Sequence, residues 1–138
     1  MAIKMTIKSK KDEIVLDGTQ ASAEITDVKF DFDSPDNAKE KANDAIIGLE
    51  INGKLNPDTY KNTKKLADWA LNNETELVYR EVTVQVRDGD DGVIIREYTL
   101  NKAFVVDYSE TIASTGQTGT FFLKIYQKLS DKGVIVEY

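Results

Sequence analysis

The run LNKAFVVDYSETIASTG, Leu100–Gly116, followed after three residues by TFFLKIYQKL, Thr120–Leu129, sets the architecture. Its first part closes a long strand that starts near Val93 and reaches Tyr108. A connection of small and polar residues, SETIASTGQTG, then leads into a returning strand in which Phe121, Leu123, Ile125 and Leu129 share one face. Upstream, Leu77–Arg87 places Val78, Val82, Val84 and Val86 in one parity. The turn Asp88-Gly89-Asp90-Asp91-Gly92 joins that strand to Val93 as a long hairpin. Downstream, Asp131-Lys132-Gly133 turns into a last strand, Val134–Tyr138. Its apolar alternation persists to the final residue, so it is expected to be paired.

The first half continues the pattern. Ile3, Met5 and Ile7 alternate with Lys4, Thr6 and Lys8, the period of a half-buried strand. A polar turn at Lys10-Lys11-Asp12 precedes the short run Ile14–Leu16, and Asp17-Gly18 is a second turn. In the next strand Ala21, Ala23 and Ile25 share one parity but Val28, Phe30 and Phe32 share the other, which calls for a bulge near Thr26-Asp27. After a charged connection, Asp31–Asp44, Ile47, Leu49 and Ile51 mark a strand ending near Leu55. Asn56-Pro57 predicts a helix start, with a capping side chain before a proline at the first helical position. Tyr60, Leu66, Ala67, Ala70 and Leu71 fall mostly on one helical face, and Asn72-Asn73 ends the helix. Seven or eight strands and one helix make a mainly β fold: a small β-barrel or two-sheet sandwich with one side α-helix. The expectation is a single domain over 1–138, with a charged loop at about 33–44 and a helix at about 57–72.

Composition bounds the chemistry. The chain has 138 residues, with 41% hydrophobic and 30% charged, the balance of a globular domain. No apolar run approaches the roughly 20 residues that cross a bilayer, and the opening MAIKMTIKSKK alternates instead of forming the apolar core of a secretory signal. A cytoplasmic protein without membrane association is expected. Cysteine and histidine are both absent, which removes the thiol nucleophile, the commonest general base and the commonest zinc ligands together. A net charge of −6 argues against a nucleic-acid binder, whose affinity rests on Lys and Arg clusters.

The remaining candidates for chemistry have plain structural readings. Asp88–Gly92 superficially suits calcium, yet it lacks the spacing of an EF-hand, and Asp and Gly are what a hairpin turn needs. Asp107 and Glu110, with Tyr108 and Ser109 between them, are the only acids that suggest a catalytic pair, and a polar strand end is the better account of them. Thr115-Gly116-Gln117-Thr118-Gly119 lacks the lysine of a phosphate-binding loop. Trp69 and Tyr60 are either an aromatic anchor for a partner or part of the core, and an amphipathic helix favours the core. No enzyme activity, cofactor or metal is expected.

The order of parts, together with Leu100, Asn101, Ala103, Phe104 and Tyr108, resembles the tail-tube family. That family includes the haemolysin-coregulated protein, Hcp, of type VI secretion and the inner-tube proteins of contractile phage tails. The likeness in sequence lies within Leu100–Leu129, where a polar–Asn–x–Ala–aromatic turn into a strand is followed by a loop and an alternating strand. The lack of histidine and the short closing strand favour a phage-tail-like or injection-system relative over type VI Hcp itself. The resemblance implies a structural subunit whose partner is itself, in hexameric rings stacked as a tube, with sheath and baseplate or spike proteins as further partners. It also implies that an extended loop reaches neighbouring copies, which assigns Ser34, Pro35, Asp36, Asn37, Lys39, Glu40, Lys41 and Asn43 to assembly. The competing reading is a small β-barrel that binds a ligand or partner.

Overall fold

A computed structural model describes residues 1–17, 25–33, 46–57, 59–89, 92–116, 118–128 and 135–137. Strands β1 (Ala2–Lys8), β2 (Glu13–Asp17), β3 (Ile25–Asp33) and β4 (Ile46–Leu55) precede the helix α1 (Tyr60–Leu71) and a single helical turn, α2 (Thr75–Val78). Strands β5 (Arg80–Arg87), β6 (Ile94–Ile112), β7 (Gly119–Lys128) and β8 (Ile135–Glu137) follow. The strand order is β2-β1-β5-β6-β7-β4-β3, with β8 added to β6 and every pairing antiparallel. The fold is mainly β, as expected.

The 19-residue β6 belongs to both halves of the sheet. Its first half, to Ala103, pairs with β5, and its second half, Phe104–Ile112, pairs with β7. Register shifts between Arg80 and Val82 on β5, and between Val105 and Asp107 on β6, bracket the crossing. Bulges bend a strand and increase its twist, which lets one strand turn the corner of a rolled sheet. The backbone N–H of Lys102 lies in this crossing and donates to the Gln127 side-chain carbonyl at 2.6 Å. Gln127 is fully buried and projects from β7 with the parity of Phe121, Leu123 and Ile125.

Rolling brings the halves face to face. Phe30 of β3 stacks on Tyr98 of β6 with ring centroids 4.7 Å apart, and between the halves lie Met5, Ile7, Leu16, Leu49, Leu100 and Leu123, all buried. Along β2, β5 and β7 buried residues alternate strictly with more exposed ones, the apolar parity facing inward. The bulge expected near Thr26-Asp27 is present as a register shift between Ile25 and Asp27. Val82, Val84 and Val86 are buried as expected, and the β5–β6 hairpin closes through an Asp88 N–H to Val93 carbonyl bond of 3.0 Å. Ala21, Ala23 and the turn at Asp131–Gly133 lie outside the described residues.

Four boundaries differ from the sequence reading. The helix begins at Tyr60 rather than Pro57, because Asn56–Thr59 closes its own turn. The Asn56 carbonyl accepts the N–H groups of Thr59 and Tyr60, and the Thr59 hydroxyl donates to the Lys54 carbonyl at 2.8 Å. The end at Asn72 agrees. Leu77 and Val78 form a helical turn instead of opening β5, because the Glu74 carbonyl accepts both of their N–H groups. β6 continues past Tyr108 to Ile112, since Ser109–Ile112 find partners in Phe122–Gly119 of β7. Asp31 and Asp33 are strand residues paired with Gly48 and Ile46, not loop residues. The last strand is paired as expected, with β6, and β7 and β8 both run antiparallel to β6 and so follow one direction.

Replacing Gln127 with Leu leaves the Lys102 N–H without its side-chain acceptor in a buried crossing. The expected cost is about 1–3 kcal/mol, read as a lower midpoint in denaturant unfolding followed by circular dichroism.

Candidate assembly interface

The helix is held to the sheet by a buried cation. Arg80 shares inward parity with Val82 and Val84, and its guanidinium has only 5% exposure. It lies 5.4 Å from the Trp69 ring centroid, its Nε donates to the Leu77 carbonyl at 3.1 Å, and its Nη1 stands 3.5 Å from an Asp12 carboxylate oxygen. Burial pulls the Arg80 pKa below its ordinary value and Asp12 acts in the opposite direction. The Ser9 hydroxyl bonds the same Asp12 oxygen at 2.7 Å within the β1–β2 turn, and Trp69 Nε1 donates to the Val78 carbonyl at 2.9 Å. One guanidinium thereby joins α1, α2, β5 and the first hairpin.

The polar outer face of the β3-β4-β7-β6 half carries a charge ladder. Lys29 pairs in register with Glu50, Glu50 with Lys124, and Lys124 with Asp107, so the signs alternate across four strands. The Lys29 ammonium lies 3.5 Å from Glu50, and that of Lys124 lies 5.1 Å from the Tyr126 ring centroid. Beside this row Gly48 has no room for a Cβ, which would stand 2.5 Å from an Asp31 carboxylate oxygen. Opposite charges directly across strands stabilise the pairing modestly and leave the face near neutral.

The candidates for chemistry stay apart. The Glu110 carboxylate accepts the Tyr108 hydroxyl at 2.6 Å, and Asp107 stands in register with Lys124. Among the described residues no cluster of three metal-ligating side chains exists. Asp88 and Gly89 sit in the hairpin turn, Gly89 with φ +89°, while Asp90 and Asp91 lie outside the described residues. Gly116, with φ +79°, serves the β6–β7 connection. Trp69 is core, whereas Tyr60 is exposed.

The residues singled out from the sequence form two groups, those expected to carry assembly and those that carry the family resemblance. Ser34, Pro35, Asp36, Asn37, Lys39, Glu40, Lys41 and Asn43 lie outside the described residues, between β3 and β4, whose ends Asp33 and Ile46 are paired. Within the second group, Leu100 and Ala103 are core residues at the β6 crossing, and Asn101 is exposed. Phe104 meets Tyr79 edge to face at 5.8 Å, and Tyr108 packs on Phe121 with its hydroxyl 3.4 Å from the Thr63 carbonyl.

A surface that periodicity assigns to the core is instead open. Only Thr63, Leu66 and Trp69 of α1 are buried; Thr63 is tolerated there because its hydroxyl bonds the Thr59 carbonyl one turn back. Tyr60 is 55% and Leu71 83% exposed, and beside them β6 presents Ile112 at 72% and Val106 at 46%. Tyr60 and Ile112 line a groove of about 360 Å³ with Leu55, and Leu71 and Val106 line another of about 320 Å³. Exposed apolar residues in two grooves beside one helix make this flank a candidate interaction site.

No protein-family model matches the sequence, and no curated protein matches it. Solved structures do match in fold. An Hcp protein of Flavobacterium johnsoniae is 13% identical with a TM-score of 0.52, covering 97% of this chain and 99% of its own. An Hcp protein of E. coli is 7% identical with a TM-score of 0.59, covering 99% and 98%. This chain has the fold of Hcp proteins. The likeness extends to a chain of the sheath-tube complex of an extracellular contractile injection system, PVC, in the extended state, at 10% identity and a TM-score of 0.50 over 97% of this chain and 88% of that one.

Two residues that position this fold escaped the sequence reading, Arg80 and Gln127. Each sits at an inward parity between apolar neighbours, and a polar group there requires a partner. Arg80→Ala is expected to lower stability by about 2–4 kcal/mol, the scale of losing a buried polar network, in denaturant titration. Tyr108 supplies a pH signature: burial, then its bond to Glu110, raises the phenol pKa. Its contribution to stability is whole below pH of about 10, the ordinary phenol value, and is lost as pH rises toward the raised value. Unfolding midpoints should fall less steeply above that pH in Tyr108→Phe than in the unaltered protein.

Proposed function

We propose that this protein is a structural subunit that assembles into hexameric rings and that the rings stack into the inner tube of a contractile phage-tail-like or secretion apparatus. The observation that carries this reading is the fold shared over nearly the whole chain with Hcp proteins and with a chain of the sheath-tube complex of a contractile injection system. The open apolar flank beside α1 supports it, because a subunit that spends its working life between copies keeps such surface for them. Sheath and baseplate or spike proteins are the further partners of this proposal, and the cytoplasm is its place of assembly. No catalytic role is part of it.

The ligand-binding reading needs a hollow interior. Among the described residues the space between the sheet halves is filled by side chains such as Phe121, Leu49, Ile51 and Ile125, and the grooves of the site lie on the outside. Negative-stain electron microscopy of the purified protein tests the proposal, with or without a sheath or baseplate partner. Rings or stacked rings are expected; a protein that stays monomeric at high concentration in both conditions defeats it. Deleting Pro35–Asn43 should leave the circular dichroism spectrum and unfolding midpoint near those of the full chain while reducing tube length. A deletion that unfolds the chain assigns the loop to stability instead.

A further inference from the structure

The turn between β1 and β2 grips α2 at both ends. Ser9–Asp12 is closed on itself: the Ser9 N–H donates to the Asp12 carbonyl at 2.9 Å, and the Ser9 hydroxyl donates to an Asp12 carboxylate oxygen at 2.7 Å. The same hydroxyl accepts the Asp12 N–H at 3.1 Å. From this frame two side chains of opposite charge reach outward. Lys11 stands 4.0 Å from Glu74, the residue just before α2, and Asp12 stands 3.5 Å from Arg80, just past its end.

The two ties differ in weight. Lys11 and Glu74 are both exposed, so their pairing is screened by water and contributes little. Arg80 is buried and its Nη1 has no hydrogen-bond acceptor among the described residues, so the Asp12 carboxylate supplies the counter-charge. Lys10, Lys11, Asp12 and Glu13 are exposed. A buried cation therefore depends on an acid that can be reached from solvent.

The elements under this grip lack the ladders that hold the strands. α1 and α2 are joined to each other by the Trp69 Nε1 bond to the Val78 carbonyl. Side chains tie them to the sheet: the Tyr108 hydroxyl reaches the Thr63 carbonyl at 3.4 Å, Arg80 Nε reaches the Leu77 carbonyl at 3.1 Å, and Thr63, Leu66, Trp69 and Leu77 are buried. β5, β6 and β7 share backbone ladders. Elements with fewer ties to the rest of a fold open at lower free energy than its laddered strands.

We propose that the Ser9–Asp12 turn is a clasp. With Asp12 on Arg80, α1 and α2 are fixed against the sheet; with Asp12 drawn away, they come off as one unit while β5, β6 and β7 stay paired. Opening moves the flank that carries Tyr60 and Leu71, so the turn governs how that surface is presented. The clasp belongs to the single protomer and stands whether or not rings form.

The chain has one tryptophan, so the fluorescence of Trp69 reports on the clasped unit alone. Asp12→Asn keeps an oxygen for the Ser9 hydroxyl and removes the charge. It is expected to speed amide exchange in α1 and α2 at least about tenfold, the scale of losing a bond to a charged group. Acrylamide quenching of Trp69 should rise with it, while amides of β5, β6 and β7 stay within about twofold of the unaltered chain. Glu13→Gln, on the neighbouring residue, should change neither readout. In an Arg80→Met background Asp12→Asn should add nothing, because the clasp acts through the guanidinium. Should Asp12→Asn fail to fold, the unaltered chain provides a second measurement: in exchange at rising low denaturant, α1 amides should open with a smaller denaturant dependence than strand amides. Equal acceleration of helix and strand amides, unchanged exchange in α1, an added effect of Asp12→Asn in the Arg80→Met background, or a single global opening of the unaltered chain each overturn the clasp.

Discussion

The structure depends on one strand being shared. β6 serves two halves of a rolled sheet, changing partner between Ala103, paired with Arg80, and Phe104, paired with Tyr126, just past a register shift that leaves Asn101 and Lys102 out of the β5 ladder. An unpaired N–H buried there would cost as much as a lost hydrogen bond. The Gln127 side chain meets that demand from the neighbouring strand, and Leu100 and Ala103 pack the corner with apolar volume. Because the crossing turns the sheet, β3 comes to lie against the first half of β6, and Phe30 stacks on Tyr98. The core follows from the bend.

The helix obeys a second constraint, the charge of Arg80. A guanidinium at an inward position must be paired where it stands, and the Trp69 ring, the Leu77 carbonyl and Asp12 surround it. Those contacts fix how far α1 can rotate about its axis. With Trp69 directed at Arg80, Tyr60 and Leu71 are turned away from the sheet, and the flank beside β6 stays open. A cation that organises the interior therefore also determines which surface is offered outside.

These surfaces differ in character. The outer face of the β3-β4-β7-β6 half is a neutralised lattice of alternating charges, suited to water. The α1 flank is apolar with a cationic border, suited to another protein. The proposed assembly would use both kinds, since each copy would have to hold its neighbours and still leave the rest of its surface free of adhesion.

Much of this was legible in the chain. Alternation at Met5 and Ile7, at Leu49 and Ile51, and at Phe121, Leu123 and Ile125 places strands and their inward faces, because the two-residue period of a strand is local geometry. The parity change at Thr26-Asp27 marks its bulge for the same reason. The helix start was misplaced because the bond between Thr59 and Lys54 is a contact made only once the preceding strand is in place. Tyr60 and Leu71 were assigned to the core because periodicity identifies an apolar sector without saying which part of it meets the sheet. By itself, then, the sequence determined the strands, their inward residues and the absence of cysteine and histidine chemistry. Only the tertiary structure decided where β6 changes partners, that Arg80 and Gln127 hold the interior, and that one flank of the helix is left bare. Each of those is settled by residues distant in the chain meeting in space, and pairing of that kind leaves no period to read.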